Sequence, residues 1–191
     1  MTRLVTILLV ALAGITAGQS HASDRWSWEL RTGLDPVAGD LGGSDLGTGA
    51  GFEATLAYRI QPHLAAYAGW GWHHFGTGDR LTDGSLEQTG YSFGLQFVHP
   101  VGGGRLGYFV RGGAVLRHFE LENADGDVVD DSGHGWGWEL GAGLDIALGG
   151  AWSLRPGLTY RSLARDVTIE GEGLGVEVGG VDLEIGLARS F

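Results

Sequence analysis

Twice in this chain tryptophan alternates with glycine, as GWGWHHF from Gly69 and as GWGWELGAG from Gly135. Successive side chains of a strand point to opposite faces, whereas a helix repeats every 3.6 residues. Each stretch therefore predicts a strand with one bulky apolar face and one nearly bare face. The alternation is not confined to these two places. Eight segments of about ten residues, bounded by Gly, Pro, Asn or Asp, are predicted as strands: 25–34, 49–60, 64–75, 89–99, 106–119, 134–148, 152–163 and 180–191.

The phase of each segment assigns its faces. In the second, Phe52, Ala54, Leu56, Tyr58 and Ile60 oppose Gly51, Glu53, Thr55, Ala57 and Arg59. In the sixth, Trp136, Trp138, Leu140, Ala142, Leu144, Ile146 and Leu148 oppose Gly137, Glu139, Gly141, Gly143, Asp145 and Ala147, and the eighth sets Val181, Leu183, Ile185 and Leu187 against Asp182, Glu184, Gly186 and Ala188. Taken alone, this pattern fits either a soluble sandwich with the apolar face inside or a membrane barrel with that face outside.

The first 22 residues carry one basic residue (Arg3), an apolar run from Leu4 to Ala17 and a small-x-small Ser20-His21-Ala22, the layout of a secretory signal. The expected organisation is a signal at 1–22 and one domain over 23–191. The apolar run falls short of the roughly 20 residues that a membrane anchor helix needs. An exported chain without cysteine has no disulfide framework. Loss of the signal removes Arg3 and takes the net charge from −11 to −12, which argues against nucleic acid as a partner, since phosphate binding needs a basic face. With 37 Gly but 43% hydrophobic residues and no Gly-X-Y period, the chain is neither collagen-like nor disordered.

Connection lengths and aromatic placement decide between sandwich and barrel. The connections at 61–63, 100–105 and 149–151 are short, and those at 35–48, 76–88, 120–133 and 164–179 are longer and acidic. Short turns at one end and long loops at the other are a transmembrane-barrel layout. The outward-phase aromatics fall at segment ends. Trp26, Trp28, Tyr58, Phe97, Tyr108, Trp152 and Phe191 lie toward the short turns, and Trp70, Trp72, Tyr91, Trp136 and Trp138 toward the long loops. Two aromatic girdles are what a bilayer's two interfaces favour.

The chain ends on Phe191 with Leu187, Ile185 and Leu183 in phase behind it. In this the whole mature chain resembles the small eight-stranded outer-membrane β-barrels of the OmpA and OmpX type, a porin-like family. The resemblance implies an all-β, eight-stranded antiparallel up-and-down barrel in the outer membrane of a Gram-negative envelope, with extracellular loops. It also implies that the barrel assembly machinery reads the strand that ends at Phe191. Position 189 departs from the family pattern, with Arg189 where an apolar or aromatic residue is usual; such a side chain can snorkel to the interface.

In such a barrel tryptophan faces lipid and glycine faces the lumen. Eight strands enclose a space just wide enough for side chains to fill, so Gly51, Gly69, Gly71, Gly94, Gly107, Gly113, Gly137, Gly141, Gly143, Gly157 and Gly186 leave room for larger inward residues. On that inward phase Glu29, Arg31, Glu53, Arg59, Arg111, Arg117, Glu139, Asp145, Arg155, Arg161, Asp182 and Glu184 are expected to form an ion-pair network plugging the lumen. A narrow ion path is the alternative use of the same residues.

Motifs for chemistry are weak. His73 and His74 are adjacent on a strand and point to opposite faces, which disfavours one shared metal ion. The acidic ENADGDVVDD at 122–131 misses the calcium-loop template at its first and twelfth positions, Leu121 and Ser132, and Asp125-Gly126 reads as a hairpin turn. These surface acids could still hold divalent ions weakly against lipopolysaccharide phosphates. His74, His118, Ser132 and His134 share the lipid-facing phase near the long loops, and Ser132 with His134 and Asp130 could in principle hydrolyse a lipid A ester. The order Ser132-Gly133-His134 is the reverse of the His-x-Ser of lipid A deacylases. The expectation is therefore a monomeric, non-enzymatic barrel with no cofactor or metal, in contact with outer-membrane lipid and lipopolysaccharide. A lipid A modifying hydrolase or a narrow channel stands second.

Overall fold

The structure, a computed structural model, describes residues 25–36, 40–41, 47–76, 85–122, 128–169 and 172–191, with side chains at 40–41, 129–130, 164–169 and 172–178 excepted. The predicted signal, the Asp125-Gly126 turn and the side chain of Asp130 lie outside the described residues. Eight long strands follow one another around a closed sheet: β1 (Trp26–Asp35), β3 (Gly49–Gln61), β4 (Leu64–Gly76), β5 (Ser85–Pro100), β6 (Leu106–Glu122), β8 (Gly135–Gly149), β9 (Trp152–Ile169) and β10 (Glu172–Ser190). Every neighbouring pair is antiparallel, and β1 pairs with β10 in register Leu30↔Leu187, which closes the barrel. Phe191 completes the seam: its N–H donates to Trp26 O at 2.8 Å and Trp26 N–H donates to Phe191 O at 3.2 Å. Closure leaves no sheet edge, the condition for strands to cross lipid. Two short strands are appended at the long-loop end: β2 (Asp40–Leu41) pairs with β10, and β7 (Val128–Asp131) with β6.

Sidedness is inverted relative to a water-soluble fold. Leu140 and Leu183 are more than half exposed, with Leu95, Ile185, Val110 and Phe93 close behind, while Arg111, Arg117, Glu53 and Glu139 are buried inside. A contiguous apolar exterior around a charged interior is stable only if the exterior meets hydrocarbon. Among the described residues no helix is long and apolar enough to cross a membrane, so the strands do the crossing.

The short connections behave as their residues require. Gly102 and Gly103 (φ 62° and 68°) turn β5 into β6, and Gly149 and Gly150 (φ 115° and 59°) turn β8 into β9, in backbone regions that L side chains rarely adopt. At the long-loop end the sequence reading falls short. Residues 164–169 and 172–179, expected in a loop, continue β9 and β10 as a paired hairpin through Ile169↔Glu172, and 85–88 begin β5. The acids and glycines that suggested a loop alternate in the sequence with Val167, Ile169, Leu174, Val176 and Val178, residue types that favour strands.

Candidate functional site

The lumen is filled from the short-turn end upward. Nearest the short turns, Arg155 Nε donates to Asp145 Oδ1 at 2.6 Å and its Nη1 to Glu29 Oε2 at 2.8 Å, while Glu29 Oε1 accepts from Arg31 Nη2 at 2.9 Å. At mid-height Glu53 accepts from Arg111 (2.7 Å) and Arg117 (2.9 Å) and has Arg31 and Arg161 each at 3.7 Å. Glu139 pairs with Arg111 and with Arg161 (3.3 Å), and accepts from the Tyr67 hydroxyl at 2.7 Å. Arg161 also pairs with Asp182, and Glu184 lies 3.5 Å from Arg31 and accepts from Thr159 Oγ1 at 2.7 Å. Six acids and five arginines thus share one connected set of contacts. Each arginine meets at least one carboxylate, which is what lets ions sit in a cramped interior.

Arg59, placed in this set by the sequence, stands outside it. It lies at the end of β3, beside the irregularity between Arg59 and Gln61, where the strand opens into a 350 Å³ vestibule at the short-turn mouth lined also by Arg25, Gln96 and Arg155. There it is exposed to water and makes no ion pair among the described residues.

Toward the long loops the filling changes character. Arg117 Nη1 donates to His73 Nδ1 at 2.9 Å and to Gln88 Oε1 at 3.0 Å, and the His73 ring stacks on Phe75 at 6.3 Å between centroids. Phe75, Leu86, Phe119, Leu121 and Leu163, each at most 1% exposed, then form a buried apolar layer. The sequence reading assigned large apolar residues outward, so it missed this layer, as it missed inward Tyr67 and Phe109.

Glycine explains how these large side chains fit. A Cβ on Gly94 or Gly113 would lie 2.6 or 2.8 Å from Tyr67 Oη; on Gly143 or Gly157, 2.7 or 2.9 Å from the Phe109 ring; on Gly49, 2.2 Å from Phe75. Gly94 faces Gly113 across β5–β6 and Gly143 faces Gly157 across β8–β9. A pair of same-phase glycines in register is a socket for a bulky residue from elsewhere in the bore. That was the available signal, readable only once register is known.

Outside, strand register stacks the girdle residues into rows. Trp70, Tyr91, Leu116 and Trp136 occupy one row across β4, β5, β6 and β8, and Phe52 and Trp72 sit with Thr89 and His118 one step nearer the long loops. Trp138 packs on Tyr160 at 5.1 Å. At the other end Trp26 packs on Tyr58 (4.9 Å) and Trp28 edge-on against Trp152 (5.5 Å), whose ring also carries the Arg189 guanidinium at 5.4 Å. Above the upper girdle, His74, Glu87, Glu120 and Asp131 face outward in one row, with His118 and His134 beneath, their rings 4.4 Å apart. Ser132 is not engaged by a histidine: its hydroxyl accepts from Phe119 N–H at 2.9 Å and donates to Gly133 O at 3.1 Å.

A family profile described as "outer membrane protein beta-barrel domain" matches residues 7–191. The chain belongs to this outer-membrane β-barrel family. Among curated proteins none matches the sequence. Among solved structures, Neisserial surface protein A superposes with a TM-score of 0.66 at 13% identity, covering 90% of this chain and 100% of that one. OprG from Pseudomonas aeruginosa gives 0.60 at 14% identity, covering 88% and 97%, and outer membrane protein W of E. coli gives 0.52 at 12% identity, covering 90% and 100%. Identities this low show the shared fold alone. Membership places the apolar exterior and both girdles in the bacterial outer membrane, and leaves this barrel's particular work to its own filling and rim.

Proposed function

We propose that this barrel is a non-catalytic, non-conducting outer-membrane protein that holds its long-loop end to the exterior and acts through that surface. The observation that carries the reading is the double filling of the bore. An ion-pair network spans its middle, and the layer of Phe75, Leu86, Phe119, Leu121 and Leu163 seals it above. An ion entering would have to displace paired charges and then cross apolar side chains, both costly in a low-dielectric bore.

Charge bookkeeping points to the rim and loops as the working surface. The lumen's six acids and five arginines account for −1 of the chain's −11, so the acidity lies overwhelmingly elsewhere. An acidic surface above lipopolysaccharide repels free polyanions and favours cationic partners or contacts bridged by metal ions. The binding of Ser132 to backbone groups rather than to His134 supports the non-catalytic side of the proposal, since a serine nucleophile needs a base within hydrogen-bond reach. As for the family at large, lipid and lipopolysaccharide are its surroundings, and the seam at Phe191 is the segment offered to the assembly machinery.

Planar-bilayer recording of the purified, refolded chain tests the closed bore. Flat traces are expected at both polarities, beside a porin that gives steps in the same membrane. Reproducible unitary steps would overturn the plugged reading. A lipid A mass spectrum from expressing cells tests the non-catalytic half, for which an unchanged acylation pattern is expected.

A further inference from the structure

We propose that His118, Glu120 and Asp131 form a zinc-class metal site on the outward face at the long-loop end, distinct from the lumen charges. His118 and Glu120 are two residues apart on β6 and share a face, and Asp131 on β7 lies directly opposite Glu120. One ligand atom from each of the three lies within 4.8 Å of the others, and His118 Nδ1, the nitrogen not held by Thr89, is 3.9 Å from Asp131 Oδ1. Ligands at about 2.0–2.2 Å from a tetrahedral ion lie some 3.3–3.6 Å apart. Small side-chain movements therefore bring this trio to metal distance.

Three further features point to a cation. Glu87, Glu120 and Asp131 are consecutive neighbours across β5, β6 and β7, and like charges placed opposite one another destabilise a sheet. Among the described residues no arginine pairs with any of them, and imidazoles are their only basic neighbours. The ligand groups already have outer partners. Gly133 N–H donates to Asp131 Oδ1 at 2.8 Å, and Thr89 Oγ1 lies 2.5 Å from His118 Nε2, where it can hold the Nε2 proton and leave Nδ1 free to ligate. Finally, the donor set of one imidazole and two carboxylates suits zinc and its neighbours. Calcium, which takes six to eight oxygens, is poorly served. Three protein ligands leave a position open to water, to the nearby His134 or to an oxygen of a lipid headgroup.

The test uses the untagged, refolded chain in detergent, stripped with chelator and titrated with Zn²⁺ against a chromogenic competitor. One saturable equivalent per chain is expected. His118→Ala should abolish it, Thr89→Val should weaken it by about tenfold through loss of the outer partner, and His99→Ala, at the opposite end, should leave it unchanged. Heat-dependent gel mobility verifies that each variant is folded. Co²⁺ substitution gives a second readout, a tetrahedral visible band in the parent chain that disappears in His118→Ala. Absence of saturable binding, or equal binding by the parent chain and His118→Ala, would overturn the proposal.

Discussion

Arg111→Leu tests whether the lumen network holds the barrel together. The side chain is 1% exposed, donates to both Glu53 and Glu139, and lies with its guanidinium carbon 4.7 Å from the Tyr67 ring centroid. Removing one partner of a buried pair typically costs about 3–5 kcal/mol, because the remaining charge is left uncompensated. Here neither carboxylate is orphaned: Glu53 keeps Arg117 at 2.9 Å and Glu139 keeps Arg161 at 3.3 Å. The loss should therefore sit at the low end, about 3 kcal/mol, or roughly a hundredfold in the folding equilibrium. Arg59→Leu removes an arginine from the same phase of the barrel, but one that is exposed and makes no ion pair among the described residues, so it should cost under about 0.5 kcal/mol. Urea titration of refolding into lipid vesicles, followed by tryptophan fluorescence and gel mobility, measures both. A double-mutant cycle with Glu139→Gln should give a coupling of about 1–3 kcal/mol. If Arg111→Leu is no more costly than Arg59→Leu, the network fills space without contributing cohesion, and the reasoning fails.

Two further perturbations examine the sockets and the membrane level. Gly49→Ala drives a methyl against the Phe75 ring and should cost about 1–3 kcal/mol by overpacking; Phe75→Leu in the same chain should recover part of that, and a lack of recovery in refolding titrations would deny the socket. Leu140→Arg, between the two girdles on β8, should cost about 2–4 kcal/mol in vesicles, whereas Trp136→Arg, two repeats of the pleat nearer the long loops and 64% exposed, should cost about 0–1 kcal/mol for its charge. Equal penalties for the charge would mean that the girdle rows do not mark the interface.

The barrel was legible in the sequence because lipid and lumen impose opposite chemistries on alternate residues. Trp136, Trp138 and Leu140 could only be outside if Gly137, Glu139 and Gly141 were inside, and register confirms that phase through β6 and β9. The inward charges were legible for the same reason. What escaped is everything that depends on height rather than on face. Phe75, Leu86, Phe119, Leu121 and Leu163 break the rule that apolar means outward because toward the long-loop end the inward phase is filled by apolar side chains packed on one another instead of by charges. Arg59 breaks the opposite rule because it lies at the mouth, where an arginine finds solvent before it finds a carboxylate. Period two reports the face of a residue and says nothing about its depth. Depth emerges from pairing, and pairing is long-range.

The same distinction bears on the histidines. By phase His73 points into the bore and His118 outward, but the sequence does not say what either ring meets there. In the structure His73 turns into the bore, where Arg117 donates to its Nδ1 and Phe75 stacks on its ring, so its lone pair is already used. His118 turns outward among Glu120, Asp131 and Thr89, with carboxylates on two sides and, among the described residues, no arginine paired with it. Arginine supplies five donors and no lone pair, so a histidine beside arginine is held as an acceptor, whereas a histidine among carboxylates offers a ligand set. Among the described residues, Arg31, Arg111, Arg117, Arg155 and Arg161 pair with acids inside while His118, Glu120 and Asp131 stay on the outer rim, one arrangement that fills the bore with paired charge and leaves the rim the groups a cation would use.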